Sequence, residues 1–226
     1  MFDFHLLCGA GCWGAGGALM AAAAMGLRGV ALVRTCEDAD FSSLGAFCAS
    51  VRAMSLHAGV TAWGGVELAN FPPGLLAEAV AEARRHGAQL VLARGEGLGG
   101  RVAAGTNLAA VEAGADILCD AGVLDREVAQ LAAEKGVFVE FSACGRKGLA
   151  NAHALKTCMD CGCAMVCGSS ASCAGELPDA RLWADILRGA APDDPRAAAE
   201  YLRMGGETLM RSLLQGMEKK VLLRQK

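Results

Sequence analysis

The stretch LLAEAVAEARRHGAQLVLARGEGLGGRVAAGTNLAAVEAGADILCD (75–120) decides the fold. LLAEAVAEARRHG (75–87) follows Pro72-Pro73, carries apolar residues at helical spacing and ends at Gly87, so it reads as a helix. AQLVLAR (88–94) is an apolar run of strand length, as a strand covered on both faces should be. TNLAAVEAG (106–114) is a second helix with Thr as its cap and Gly as its stop, and DILCD (116–120) is a second strand. Helix, strand, helix, strand is the grammar of a parallel sheet with helices outside it.

The same alternation extends to both ends of the chain. FDFHLL (2–7), GVALVR (29–34), VTAWGGVEL (60–68), VFVEFS (137–142) and CAMVCG (163–168) read as further strands. DREVAQLAAEKG (125–136) reads as a helix with an Asp cap and a Lys-Gly end. Seven units in 226 residues give about 32 residues each, close to the repeat of a TIM-type barrel. An open doubly wound sheet shows the same alternation, so period alone leaves barrel and open sheet undecided. The segment 179–216 reads as terminal helices packed on the barrel, and residues 1–226 as one domain. The tail MEKKVLLRQK (217–226) reads as a helix end.

Composition narrows the class. The chain is 54% hydrophobic and 20% charged with net charge −3, which excludes disorder. A pI near 5.8 gives no electrostatic footprint for nucleic acid. Leu6–Leu27 is uncharged but holds six glycines and has no basic flank, so neither a leader nor a membrane span is expected. Eleven cysteines then point to free thiols in a reducing cytoplasm. CMDCGCAMVC (158–167) has the look of a metal-binding cluster, yet it runs from a helix end into a strand, which favours buried structural cysteines. Cys8, Cys36, Cys119, Cys144 and Cys167 fall near strand C-termini. Strand parity sends Cys119 outward if Asp120 points in. His57 reads as a loop residue before strand three, His86 as the last turn of a helix and His153 as a helix start.

The N-terminus supports two readings. GAGCWG (9–14) matches the G-x-G-x-x-G of dinucleotide binding after a strand, with Arg34 placed to meet a 2′-phosphate. Against this, the preceding strand carries Asp3 and His5.

Those polar residues carry a second reading. Asp3-Phe4-His5-Leu6-Leu7 resembles a D-x-H-x-H strand with its last His replaced. GVEL (65–68), LVLARGE (90–96), GTNLAAVEAGADILCDAG (105–122), LAAEKGVFVEFSA (131–143), Asn151 with His153, and CAMVCGSSAS (163–172) extend the resemblance in order over residues 2–172. Together they resemble the polymerase and histidinol phosphatase (PHP) family, in its histidinol-phosphatase-like and ribonuclease P subunit-like branch. The resemblance implies an α/β fold, a distorted TIM-like β/α barrel of seven strands. It also implies phosphoester hydrolysis by up to three divalent metals at the barrel's C-terminal mouth.

Matched position by position, most of the implied ligands are missing. His5 and Glu67 stand at ligand positions, and Asp120 replaces a histidine. Leu7, Arg34-Thr35, Arg94, Ser170 and Ser172 occupy other ligand positions. Arginine stays cationic and cannot bind a metal. The resemblance therefore implies a barrel that has lost its three-metal site, with no cofactor, or at most one divalent ion (Zn, Mn or Fe) on His5, Glu67 and Asp120. Arg34 and Arg94 are expected either to pair with Glu67 and Asp120 or to hold a small anion, phosphate or carboxylate. Glu96, Ser170 and Ser172 are further pocket candidates, with Arg146 and Lys147 adding charge at the rim. The first functional expectation is a non-catalytic ligand-binding or regulatory relative of the phosphoesterases. A divergent phosphoric monoester hydrolase and an RNA-associated subunit are the alternatives.

Overall fold

The computed structural model describes all residues except Ala10, Arg101, Gln225 and Lys226, and leaves out the side chains of residues 217–224. Seven strands form one parallel sheet in the order of the chain: β1 (Phe2–Leu7), β2 (Gly29–Cys36), β3 (Thr61–Leu68), β4 (Leu90–Arg94), β5 (Ile117–Cys119), β6 (Phe138–Ser142) and β7 (Met165–Gly168). A parallel bridge between Leu6 and Ala171, with Leu7 N donating to Ala171 O at 2.9 Å, brings the last unit back to β1. The sheet is thus a nearly closed α/β barrel. A sequential strand order has no reversal point, so the doubly wound alternative and the dinucleotide reading fall together. GAGCWG simply joins β1 to the first helix, and its Ala10 lies outside the described residues.

The helices are α1 (Ala15–Ala24), α2 (Leu44–Ala58), α3 (Leu76–Arg85), α4 (Thr106–Glu112), α5 (Arg126–Lys135), α6 (Asn151–Cys161), α7 (Ala180–Ala190) and α8 (Pro195–Arg224). The sequence reading assigns no helix to α2, where Gly, Ala and Ser blur the pattern. Its buried residues Leu44, Phe47, Cys48 and Val51 nevertheless keep i, i+3, i+4, i+7 spacing. His57 accordingly belongs to the last turn of α2 and not to a loop. Among the described residues no helix is long and apolar enough to cross a membrane.

Strand alternation divides the apolar residues into two sets. Leu6, Val30, Leu32, Val66, Leu68, Val91 and Phe141 face the helix layer. Phe2, Phe4, Val33, Trp63, Leu90, Leu92, Ile117, Phe138 and Val166 fill the lumen. Trp63 is fully buried, 6.2 Å from Phe4 ring to ring. Burying about 200 Å² of aromatic surface is worth roughly 5 kcal/mol at about 25 cal/mol/Å². Its Nε1, without a hydrogen-bond partner among the described residues, returns only about 1–3 kcal/mol of that. Leu209 and Leu213 of α8 join the same cluster, so this helix closes the barrel at the strands' N-terminal ends. The lumen is apolar at that end and polar at the other.

Candidate functional site

The polar end begins with β1. The register between β1 and β2 shifts between Asp3 and Leu6, a bulge that lets Phe4 and His5 both serve the lumen. Asp3 fixes the bulge: its Oδ1 accepts from His5 N at 3.1 Å and from Ser169 N at 3.0 Å. Burial pushes the Asp3 carboxyl up to about 6 against those hydrogen bonds.

His5 is fully buried between two carboxylates. Its Nδ1 lies 2.6 Å from Glu140 Oε2 and its Nε2 lies 3.7 Å from Glu67 Oε1. Burial favours the neutral ring, but Glu140 and then Glu67 outweigh it and hold the imidazole up to about 9. Glu67 is itself the centre of a cluster. Arg94 donates Nε to Oε1 and Nη2 to Oε2, both at 2.9 Å, a forked pair. Thr35 Oγ1 donates to Oε2 at 3.0 Å, and Lys147 Nζ stands 3.8 Å from Oε1. Burial would raise the Glu67 carboxyl, yet His5, Lys147 and Arg94 hold it well below the usual range. Lys147 also donates to Ser170 Oγ at 3.1 Å. Three cations, His5, Arg94 and Lys147, therefore face two carboxylates, Glu67 and Glu140.

Above this network lies a cavity of about 560 Å³ lined by Asn70, Arg94, Asp120, Arg146, Lys147, Ser170 and the glycines after β4. That volume suits a small ligand.

The structure sorts the sequence candidates. His5, Glu67 and Arg94 form one network; Ser170 joins it through His5 and Lys147, and Asp120 lines the cavity over it. Arg34 does not join, because parity on β2 turns it outward. It donates to Ser43 Oγ at 2.8 Å and stacks 4.5 Å over Phe47, so the expected Arg34 ion pair is not formed. Glu96 is engaged with Asn107, each side chain accepting from the other's backbone N at 2.9 Å, which ties the β4 loop to α4. Ser172 donates its N and Oγ to Glu176 at 2.8 Å on the exposed rim.

Cys119 corrects the parity argument. It is the last residue of β5 and points into the lumen, 3.7 Å from Glu67 Oε1. Asp120 adopts φ 51° just beyond the strand, and this left-handed turn redirects its side chain to the mouth as well. Glu140 was not singled out by the sequence, and Lys147 figured only as rim charge. A signal existed for Glu140: it is the one charge in the buried strand Phe138–Ser142.

His5, Glu67 and Cys119 bring ligand atoms within 4.8 Å of one another. His5 Nε2 has no hydrogen-bond partner among the described residues, and a carboxylate behind an imidazole commonly orients a metal-binding histidine. The donor set nonetheless does not fit a divalent cation. Both Glu67 oxygens are taken by Arg94, Lys147 stands at the same carboxylate, and the imidazole held up to about 9 has no free lone pair. Burial, then Glu67, pushes the Cys119 thiol far above its ordinary value, so it is no thiolate. Asp120, the third ligand expected from the sequence, is not in this group.

Fold and site together define a TIM-like β/α barrel with a cation-filled mouth. No protein-family model and no curated protein matches the chain. Solved structures resemble it in fold. A chain of archaeal ribonuclease P, determined with mature tRNA, superposes with TM-score 0.67 at 15% identity over 94% of this chain and 91% of that one. Aspergillus niger ochratoxinase gives 0.58 at 14% identity, over 92% and 70%. N-isopropylammelide isopropylaminohydrolase from Burkholderia multivorans gives 0.55 at 15%, over 87% and 62%.

Proposed function

We propose that this chain is a PHP-type barrel in which side-chain cations have replaced the catalytic metals, and that it binds a small organic anion at its mouth without hydrolysing it. Lys147 carries the reading. It reaches into the barrel with its side chain only 16% exposed, and as the third cation it takes the network past its two carboxylates. Arg94 Nη1 makes no hydrogen bond to a described residue and lies beside the same cavity, and exposed Arg146 stands at its rim. Fixed cations in a shielded cleft recognise phosphate or carboxylate without a metal.

Inorganic phosphate and succinate test this by thermal shift. At ten times its Kd a ligand adds about 1.4 kcal/mol. For a chain of this size that is roughly 3–5 °C. Lys147→Met combined with Arg146→Ala should abolish the shift while Arg94 still pairs with Glu67. No shift with either anion, or an undiminished shift in the double variant, overturns the proposal.

A second reading, a reduced-metal phosphoesterase, rests on the spacing of His5, Glu67 and Cys119 alone, and it requires Arg94 and Lys147 to release Glu67 and His5 to lose its proton. Mn²⁺-dependent phosphomonoester turnover that disappears in Glu67→Ala would establish it.

A further inference from the structure

We infer that the anion held at the mouth also carries a hydroxyl or ammonium group, and that Asp120 is the acceptor that selects it. This rests on the anion-binding reading and narrows its ligand class.

The first observation is where backbone strain collects. Among the described residues, four non-glycine residues have positive φ: Ala39, Asn70, Asp120 and Ser170. Three of these, Asn70 at 59°, Asp120 at 51° and Ser170 at 53°, line the mouth cavity just beyond β3, β5 and β7. Glycine would adopt this conformation freely, yet each position holds a polar side chain. Strain retained at several strand ends around one cavity marks the side chains it aims.

The second observation is what those side chains do. Asn70 Nδ2 donates to Glu37 Oε1 at 2.8 Å, and Ser170 is engaged by His5 and Lys147. Asp120 alone among the three makes no side-chain hydrogen bond or ion pair with a described residue. Its carboxylate also packs against Gly97. A Cβ on Gly97 would lie 2.2 Å from Asp120 Oδ1, so the loop after β4 closes one side of the carboxylate and the cavity is on the other. Arg94, Lys147 and Arg146 share that cavity. A bare anion gains from the cations but is repelled by Asp120. A molecule presenting an anionic group to the cations and a donor to Asp120 satisfies both.

Matched ligands isolate the donor. Succinate, malate and aspartate share two carboxylates and differ at one carbon by hydrogen, hydroxyl or ammonium. Ethyl phosphate and phosphoethanolamine give the same comparison for a phosphate head. Calorimetric titration should show at least about tenfold tighter binding for the donor-bearing member of one series. In Asp120→Gly that preference should collapse to within about twofold, with binding of the donor-free member unchanged or tighter. The same variant should melt higher than the parent, because glycine removes the strain. Stability and selectivity then move in opposite directions, which a merely structural aspartate would not produce. Equal binding of donor-bearing and donor-free members in the parent, or a preference that survives Asp120→Gly, overturns the inference while leaving anion binding intact. If neither these compounds nor inorganic phosphate binds, the anion-binding reading fails and takes the inference with it.

Discussion

His5 ties the mouth together, and its charge sets a pH signature. Its folded pKa of about 9 lies above the ordinary 6.5, so the imidazolium stabilises the fold fully below pH 6.5. That contribution is lost as pH rises from 6.5 through 9, and it amounts to about 3 kcal/mol. Glu67 and Glu140 have the opposite sign: held below 4.5, they stabilise above pH 4.5 and lose this as pH falls. Asp3, pushed up to about 6, costs stability as pH rises from 3.8 to 6 and nothing further beyond. Between pH 6.5 and 8 His5 is therefore the group of this cluster that changes; above that the buried Cys119 thiol, held above its ordinary 9.0, adds a loss of its own as the unfolded thiol ionises. The urea midpoint should fall between pH 6.5 and 8 in the parent chain and stay flat in His5→Gln; a parent midpoint constant across that window would refute the assignment. Glu140→Ala should cost about 3–5 kcal/mol in urea unfolding, since it strands a buried imidazolium. A loss below about 1 kcal/mol would show that His5 does not depend on it. This pairing was the least legible part of the site. β1 and β6 are not neighbours in the sheet, so no strand register announces that His5 meets Glu140 across the lumen. His5, Glu67 and Arg94 were legible because each is a charged or polar residue within or at the end of an apolar strand-like run, whereas Lys147 enters from the short 3-10 helix Gly145–Ala150, whose path the sequence pattern does not disclose.

At the scale of elements, the repeat was easy to read because each strand is an apolar run covered on both faces. The bounds were harder where the lumen and the helix layer make different demands. β5 keeps only Ile117–Cys119, because Asp120 leaves the strand in a left-handed turn. β7 starts at Met165, two residues inside the apolar run, because Gly162 caps α6 with φ 71° and Cys163 N bonds back to Cys158 O. The role of α8 was legible only as far as a terminal helix packed on the barrel. Its sequence reads as a helix, but does not show that Leu209 and Leu213 enter the barrel floor. The approach depends on Gly205, where a Cβ would lie 1.9 Å from Met165 O, a backbone atom that cannot swing aside. Gly205→Ala should therefore destabilise by at least about 1–3 kcal/mol. Gly216 is in the same helix, is exposed and has open space around it. Gly216→Ala should be neutral or stabilise by up to about 1 kcal/mol. Urea unfolding of the pair separates docking of the helix from its intrinsic propensity, and equal effects at the two sites would mean that α8 does not plug the barrel.

For the whole molecule, closure of the barrel decides what chemistry the mouth can carry. The Leu6–Ala171 bridge and the bond from Ser170 N to His5 O at 2.7 Å bring the β7 end against β1. Residues far apart in the chain then share one dielectric, and their charges must balance locally. Arg94 and Lys147 do for Glu67 what a metal ion would otherwise do: they compensate a carboxylate that is 0% exposed. A metal and these two cations thus compete for one anionic centre, which gives a test at the level of the intact protein. The parent chain should contain no stoichiometric Zn, Mn or Fe by elemental analysis, and a chelator should leave its melting temperature unchanged. Arg94→Ala with Lys147→Ala strips the compensation and should destabilise by about 3–5 kcal/mol, the cost of a broken buried pair. Zn²⁺ added to that double variant should recover much of the loss, because His5, Glu67 and Cys119 already lie within 4.8 Å of one another. Binding should release protons from His5 and Cys119, so the rescue should strengthen as pH rises from 6.5 to 8.5. Rescue of the double variant with no effect on the parent would show that two side chains keep the metal out. Stoichiometric metal in the parent, or a melting temperature that falls with chelator, would show instead that the cations and the metal coexist, and the non-hydrolytic reading would be lost with them.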